Sequence, residues 1–194
     1  VQDVGATIPV NILGDINNKE VLDLCSAPGG KTMQMLAKGA NVTCIEISKK
    51  RIDTMQENFR RTQLKPEIIC ADILKWTSDK KYDFILLDAP CSATGTIRKN
   101  PDLIHIKEQH DLKKNIQLQK LLLQSAINFL SSTGVLVYCV CSLEIEEGEN
   151  QIDAFLAENE AISLIPIDEK EFPEYKHFIN PRGYLRTLPH LQVD

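Results

Sequence analysis

The apolar residues of this chain come mostly in short runs, separated by longer stretches in which they recur every three or four residues. The runs are 20–25 (EVLDLC), 42–47 (VTCIEI), 67–71 (EIICA), 82–88 (YDFILLD) and 134–141 (GVLVYCVC), with a sixth candidate at 162–167 (ISLIPI). They are rich in Val, Ile, Leu and Cys and show little polar alternation, which predicts strands covered on both faces, as in a parallel sheet. The stretches between them predict helices. One starts after Gly29-Gly30, covers 31–38 and stops at Gly39, a residue suited to the left-handed position that closes a helix. A second starts at Ser48, a good N-cap, and carries Ile52, Met55 and Phe59 on one face. The longest, 107–130, aligns Leu112, Ile116, Leu123, Ile127 and Leu130 ahead of a Ser-Ser-Thr-Gly stop. Another, near 146–158, carries Ile152, Phe155 and Leu156, and 168–194 reads as loop. Strands alternating with helices predict an α/β fold with a mostly parallel sheet flanked by helices.

A length of 194 residues predicts a single domain, 1–194, with 43% apolar and 25% charged residues, an ordinary globular composition. Because the chain opens on Val1 rather than methionine, it reads as a piece of a longer protein. The longest apolar runs are too short to cross a bilayer, and no secretory signal opens the chain, so no membrane partner and a cytoplasmic location are expected. Six cysteines (25, 44, 70, 91, 139 and 141) lie mostly in strand-like segments and read as reduced thiols. No Cys-x-x-Cys pair is present and the four histidines are scattered, so no metal site is expected. A net charge of −5 provides no whole-domain attraction to nucleic acid. It leaves local clusters at Lys49-Lys50-Arg51, Arg60-Arg61, Arg98-Lys99 and Lys113-Lys114, most of which read as solvated helix faces. No interface is recognisable, and a monomer is expected.

The Gly-Gly-Lys-Thr at 29–32 follows a strand and resembles a phosphate loop, with Asp88 ending a second strand like the acid of an NTPase. A phosphate loop, however, needs a glycine where Cys25 stands, and Pro28 removes one N–H from the would-be cradle. Glu46 ends the next strand, 16 residues after Gly30. An acid near that spacing accepts from ribose hydroxyls and repels a triphosphate, favouring a nucleoside ligand with little phosphate, such as S-adenosyl-L-methionine. Asp72, after the third strand, is placed to accept from an adenine amino group. A surface-turn role for Glu46 or Asp72 and a phosphate-loop NTPase remain the competing readings.

Taken together, DLCSAPGGKT, DAPCSATG, RKNPDL, YCVCS followed by EEGENQI, and the opening VQD resemble the RNA cytosine-5 methyltransferases of the Sun/Fmu (NOL1/NOP2/Sun) family, nearest its bacterial branch acting on 16S ribosomal RNA. The resemblance implies a Rossmann-like methyltransferase fold, S-adenosyl-L-methionine as methyl donor and an unstacked cytosine of ribosomal RNA as acceptor. It implies that the cofactor is held by Cys25, Ser26, Ala27, Pro28, Gly29, Gly30, Lys31, Glu46, Asp72 and Asp88. It further implies that an N-terminal RNA-binding region precedes VQD and that an antiparallel strand follows RTLPHLQVD, so the chain is expected to lack both. Four positions depart from the family's habit: Val140 replaces threonine, Ala93 glycine, Ser26 alanine and Glu46 aspartate. None removes a group that does chemistry. A non-catalytic, cofactor- or RNA-binding member is the alternative within the family.

Cytosine C5 is a poor nucleophile until a thiolate adds to C6, so such an enzyme needs an activated cysteine. An acid near N3 and N4 stabilises charge during the addition, and a second cysteine assists release. Cys141 and Cys91 supply the pair and Asp88 the acid, but residue chemistry alone leaves open which cysteine attacks. The resemblance assigns Cys141 as nucleophile and Cys91 as release residue. Cys44, Cys70 and Cys139 read as packing. Arg98 and Lys99 are candidates for phosphate contacts near an unstacked base.

Overall fold

The computed structural model describes residues 2–103 and 109–188. In chain order the elements are α1 (Val4–Ile12), β1 (Glu20–Leu24), α2 (Gly30–Ala37), β2 (Asn41–Glu46), α3 (Lys49–Thr62), β3 (Glu67–Cys70), β4 (Tyr82–Asp88), α4 (Gln109–Ile127), β5 (Leu130–Cys139) and α5 (Glu149–Glu158). Two compact units result: the chain up to Pro90 with Leu121–Cys139, and Cys91–Lys120 with the chain from Val140 onward.

The first unit holds the sheet, in the order β3-β2-β1-β4-β5, with every pairing parallel. Val21, Leu22, Leu24, Cys44, Ile45, Ile85, Leu86 and Leu87 are wholly buried, which explains why these runs carry no polar alternation. β1 pairs with both β2 and β4, so the strand order reverses there and ligands are expected beyond the carboxyl ends of these strands. Gly39, at φ +84°, closes α2, its N–H donating to Leu36 O at 2.9 Å. Ser48 caps α3, accepting from Arg51 N at 3.4 Å, and Ile52, Met55 and Phe59 form its buried face.

Three expectations need correction. The long helix ends at Ile127, not 130: Asn128 N and Phe129 N close its last turn on Ser125 O and Ala126 O, and Phe129 O then accepts from Tyr82 N. Leu130 therefore opens β5, four residues earlier than expected, and a shift of register opposite Tyr82–Phe84 absorbs the Ser-Ser-Thr-Gly stretch. Positions 107 and 108, expected in that helix, lie outside the described residues. The run 162–167 forms no strand; Ile165 is exposed, and Ile167 N donates a single backbone bond to Gly183 O. The segment expected to be loop holds a 3₁₀ turn, Pro173–Phe178, because Tyr175 and Phe178 are buried, and a bridge between Ile179 and Leu185. Helix α1 was concealed by Pro9 in its interior, a residue that forgoes a helical hydrogen bond. Burial of Ile8 and Val10, with Asp3 accepting from Gly5 N at 2.9 Å, holds it nonetheless. Among the described residues no helix is long and apolar enough to cross a membrane, and no group of three His, Cys, Asp or Glu side chains could hold a metal ion.

Candidate active site

In the first unit, the chain leaving β1 turns through Cys25 in the left-handed region (φ 59°) and returns to the sheet where Ser26 N donates to Ile45 O at 3.2 Å. Gly29, at φ +93°, closes the turn by donating to Ser26 O at 2.8 Å. A Cβ on Gly29 would stand 2.9 Å from the Phe59 ring, so both the backbone angle and the close approach of α3 require glycine there. α2 then begins at Gly30, next to Lys31.

Glu46 lies beneath this turn, 1% exposed. Its Oε1 accepts from Ser48 N at 2.9 Å, and its Oε2 from Ala27 N at 3.4 Å. Arg51 completes a clamp: Nη1 is 3.3 Å from Glu46 Oε2, and Nη2 donates to Ala27 O at 2.7 Å. Asp72 follows β3, where Ala71 N donates to Glu46 O at 3.1 Å; its own carboxylate accepts from Leu74 N at 3.0 Å and pairs with Lys75 at 3.8 Å. The structure thus joins Glu46 directly to the 25–29 turn, whereas the bonds of the Asp72 side chain stay within its own turn. At the end of β4, Asp88 pairs with Lys31 at 2.8 Å and accepts from Cys139 Sγ at 3.4 Å. Burial opposes the Lys31 charge, but the attraction of Asp88 prevails and raises its pKa, so it stays cationic. Burial, then the charge of Asp88, raises Cys139 and keeps it a neutral donor. Burial, then the charge of Glu46, pushes the Cys25 thiol up to about 12, which makes it a turn residue rather than a nucleophile.

Asp23, 1% exposed in β1, is pushed up to about 7 by burial above all, although Thr32 Oγ1 donates to it at 2.5 Å. Its other oxygen, Oδ1, is buried without a hydrogen-bond partner. Between about pH 4 and 7 the unfolded chain gives up this proton while the folded chain keeps it. Stability should therefore fall by roughly 4 kcal/mol over that interval and then level off. Asp23→Asn should flatten this component, which urea unfolding of both proteins at several pH values would measure. Parallel pH profiles would disprove it.

In the second unit, Cys91 Sγ lies 3.4 Å from Cys141 Sγ. Cys141 is exposed and Cys91 half-buried. The hydrogen bond to Cys141, then burial, then repulsion by a charged Cys141 hold the Cys91 thiol well above its ordinary pKa. Gly95 N donates to Cys141 O at 3.0 Å, tying the Cys91 loop to the end of the Cys141 segment. Ala93 adopts the left-handed φ of 60°, which accounts for the glycine usual in the resembling family at that position. Arg98 and Lys99 are exposed just beyond.

All six cysteines are free thiols. Cys44 is packed as expected, but Cys70 is exposed at the end of β3, because an edge strand leaves one side open. Three further residues carry contacts that residue-type reasoning had not assigned. Arg51, although exposed, also belongs to the turn clamp, and Cys139 touches Asp88. Glu147 is wholly buried behind the cysteine pair's own loops, and its only signal was a place in EEGENQI.

The sequence model of the family described as 16S rRNA methyltransferase RsmB/F matches residues 10–194. Ribosomal RNA small subunit methyltransferase B of Yersinia pseudotuberculosis (serotype O:1b, strain IP 31758) is 37% identical over 186 residues, covering 93% of this chain and 43% of that protein. The chain therefore spans less than half the length of the curated relatives it matches. The crystal structure of NSun6 from Pyrococcus horikoshii with SFG, an analogue of S-adenosylmethionine, superposes with a TM-score of 0.74 at 30% identity, covering 81% of this chain and 42% of that one. A methyltransferase homolog protein from the same organism gives 0.72 at 29% identity, over 86% of this chain and 53% of that one. Because the matched span contains the glycine turn, the Asp88 strand end and both paired cysteines, this chain belongs to the 16S rRNA methyltransferase RsmB/F family.

Proposed function

We propose that this chain is the catalytic part of a ribosomal RNA methyltransferase that moves a methyl group from S-adenosyl-L-methionine to C5 of a small-subunit cytosine, through a covalent bond between Cys141 and C6. The approach of Cys91 Sγ to Cys141 Sγ at 3.4 Å carries this reading. Two thiols meeting off the core, one held neutral and the other exposed, are what an addition followed by an elimination requires.

The turn after β1 fits the cofactor. Lys31 and the start of α2 suit the methionyl carboxylate, Cys25–Gly30 bring backbone close to it, and the acids suit the nucleoside: Glu46 the ribose hydroxyls and Asp72 the adenine amine. Lys31 keeps Asp88 placed at the end of β4, at the edge of this turn. Bound there, the cofactor supplies an electrophilic methyl group. The Cys141 thiolate would add to C6 and give C5 the electron density to take the methyl group, the electron pair of the broken methyl–sulfur bond staying on the donor's sulfur, while Asp88 steadies N3 and N4. A base then takes the C5 proton, the C5–C6 double bond re-forms, and the C6–S electron pair returns to Cys141. Cys91, a neutral thiol, donates to the departing sulfur. Arg98 and Lys99 offer phosphate contacts for an unstacked base. A cytoplasmic setting goes with this reading, given the bacterial small-subunit methyltransferases that the chain is similar to.

Supplying the intact protein with methyl-labelled S-adenosylmethionine and unmodified 16S ribosomal RNA should yield labelled 5-methylcytosine on nucleoside digestion. S-adenosylmethionine well above its Kd should add about 3 kcal/mol and raise the melting temperature, and ATP should not. Label on another nucleoside, or a shift with ATP alone, would overturn the reading.

A further inference from the structure

Glu147 has no part in the chemistry described so far, yet it is a carboxylate with 0% exposure. A buried carboxylate persists only where donors replace its water. Here Ser92 N donates to Oε1 at 2.9 Å and to Oε2 at 3.1 Å, Ser92 Oγ to Oε2 at 2.5 Å, and Gln119 Nε2 to Oε1 at 3.0 Å. Ser92 follows Cys91 directly. Its Oγ also lies 2.9 Å from Ser142 Oγ, and Ser142 follows Cys141 directly. Thr94 extends the link, accepting from Leu143 N at 2.9 Å. One buried carboxylate therefore holds Ser92, after Cys91, directly, and reaches Ser142, after Cys141, through the Ser92 hydroxyl.

We infer that Glu147 is a positioning residue for adduct release: through Ser92 and Ser142 it holds the Cys91 thiol against the Cys141 sulfur, and so sets how fast the covalent RNA intermediate resolves. This rests on the two-cysteine reading above. The release step needs only water as the proton acceptor. The C5 proton leaves to a base, the C6–S pair returns to Cys141, and the Cys91 S–H stabilises that thiolate through a hydrogen bond whose geometry Glu147 sets. A sulfur displaced by about 1 Å weakens such a bond severely and can cost about 100-fold in rate. In Glu147→Gln, one acceptor oxygen becomes an NH₂ that faces donors, which breaks the network without changing its volume.

The test uses the intact protein with unmodified 16S ribosomal RNA and S-adenosylmethionine, reading denaturation-resistant protein–RNA adduct and turnover in wild type, Glu147→Gln and Cys91→Ala. Glu147→Gln should accumulate adduct at least about 5-fold above wild type and turn over at least about 10-fold more slowly, with cofactor affinity unchanged. A merely structural role would lower turnover and cofactor binding together and leave the adduct at the wild-type level, which would overturn the inference. Adduct in Cys91→Ala beside none in Glu147→Gln overturns the inference alone. No adduct in Cys91→Ala overturns the two-cysteine reading, and this inference with it. Should Glu147→Gln fail to fold, Ser92→Ala removes the hydroxyl joining Glu147 to Ser142, keeps the backbone N–H, and is held to the same readout.

Discussion

Cys141→Ser, made in the intact protein, is expected to lower methyl transfer to RNA by at least about 1,000-fold while leaving S-adenosylmethionine binding unchanged. Serine keeps the size and the hydrogen-bonding capacity of the side chain, so the hydroxyl can still meet Cys91. What it removes is the capacity to form a thiolate, on which the proposed attack depends. A thiolate forms within reach of neutral pH, whereas a serine hydroxyl needs a strong adjacent base to become nucleophilic. The neighbour in this structure is a second thiol, held above its ordinary pKa by the hydrogen bond to Cys141 and by burial, and a group in that state is no base. No covalent RNA adduct should form with this variant, even when Cys91 is also replaced. Single-turnover methylation, with cofactor affinity measured by calorimetry beside it, separates loss of the nucleophile from loss of the fold. Substantial methylation by Cys141→Ser would move the attack to another residue, with Cys91 the first candidate.

How much of this was legible in the residues differs between the two halves of the site. The runs 20–25, 42–47 and 82–88 read as buried parallel strands because each is short, rich in Val, Ile, Leu and Cys and shows little polar alternation, and the sheet places them at its centre. Gly29 was equally legible, since its letter marks a backbone that no other residue adopts without strain, and the +93° φ shows that backbone. The pairing of Cys91 with Cys141 was not visible in spacing, because 50 residues separate them, and residue chemistry alone did not rank the two. The structure brings the two sulfurs within 3.4 Å, with Cys141 the more exposed of the two, and the order proposed above rests on that difference in exposure together with the family resemblance.

Contacts made by side chains over long sequence distances were the illegible part. Arg51 sits among lysines and arginines on a helix and reads as solvated, yet it reaches Ala27 O, because Glu46 and the turn present a carboxylate and a carbonyl together. Helix α1 was hidden for the opposite reason: Pro9 argues locally against a helix, and burial of Ile8 and Val10 overrides it. Leu130 fitted the helical stripe by spacing and entered the sheet because β4 offered a backbone partner at Tyr82. In each case a tertiary partner, absent from the local pattern, decided the outcome.

Cys91→Ala should show the opposite defect to Cys141→Ser: attack proceeds, release stalls, and protein accumulates bound covalently to RNA. Alanine removes the 3.4 Å thiol contact to Cys141 and leaves the proposed nucleophile in place. The Cys141 thiolate becomes a poorer leaving group without a donor, so elimination slows while addition does not depend on that donor. The methylated adduct should survive denaturation, migrate as a protein–RNA species and reach a fraction approaching one RNA per enzyme, with turnover lowered by at least about 100-fold. Methyl label should appear in the adduct, because the stall follows methyl transfer. The double variant with Cys141→Ser should form none, which identifies the sulfur that holds the RNA. Free turnover by Cys91→Ala with no adduct would mean that release needs no second thiol, and the 3.4 Å contact would then be packing alone.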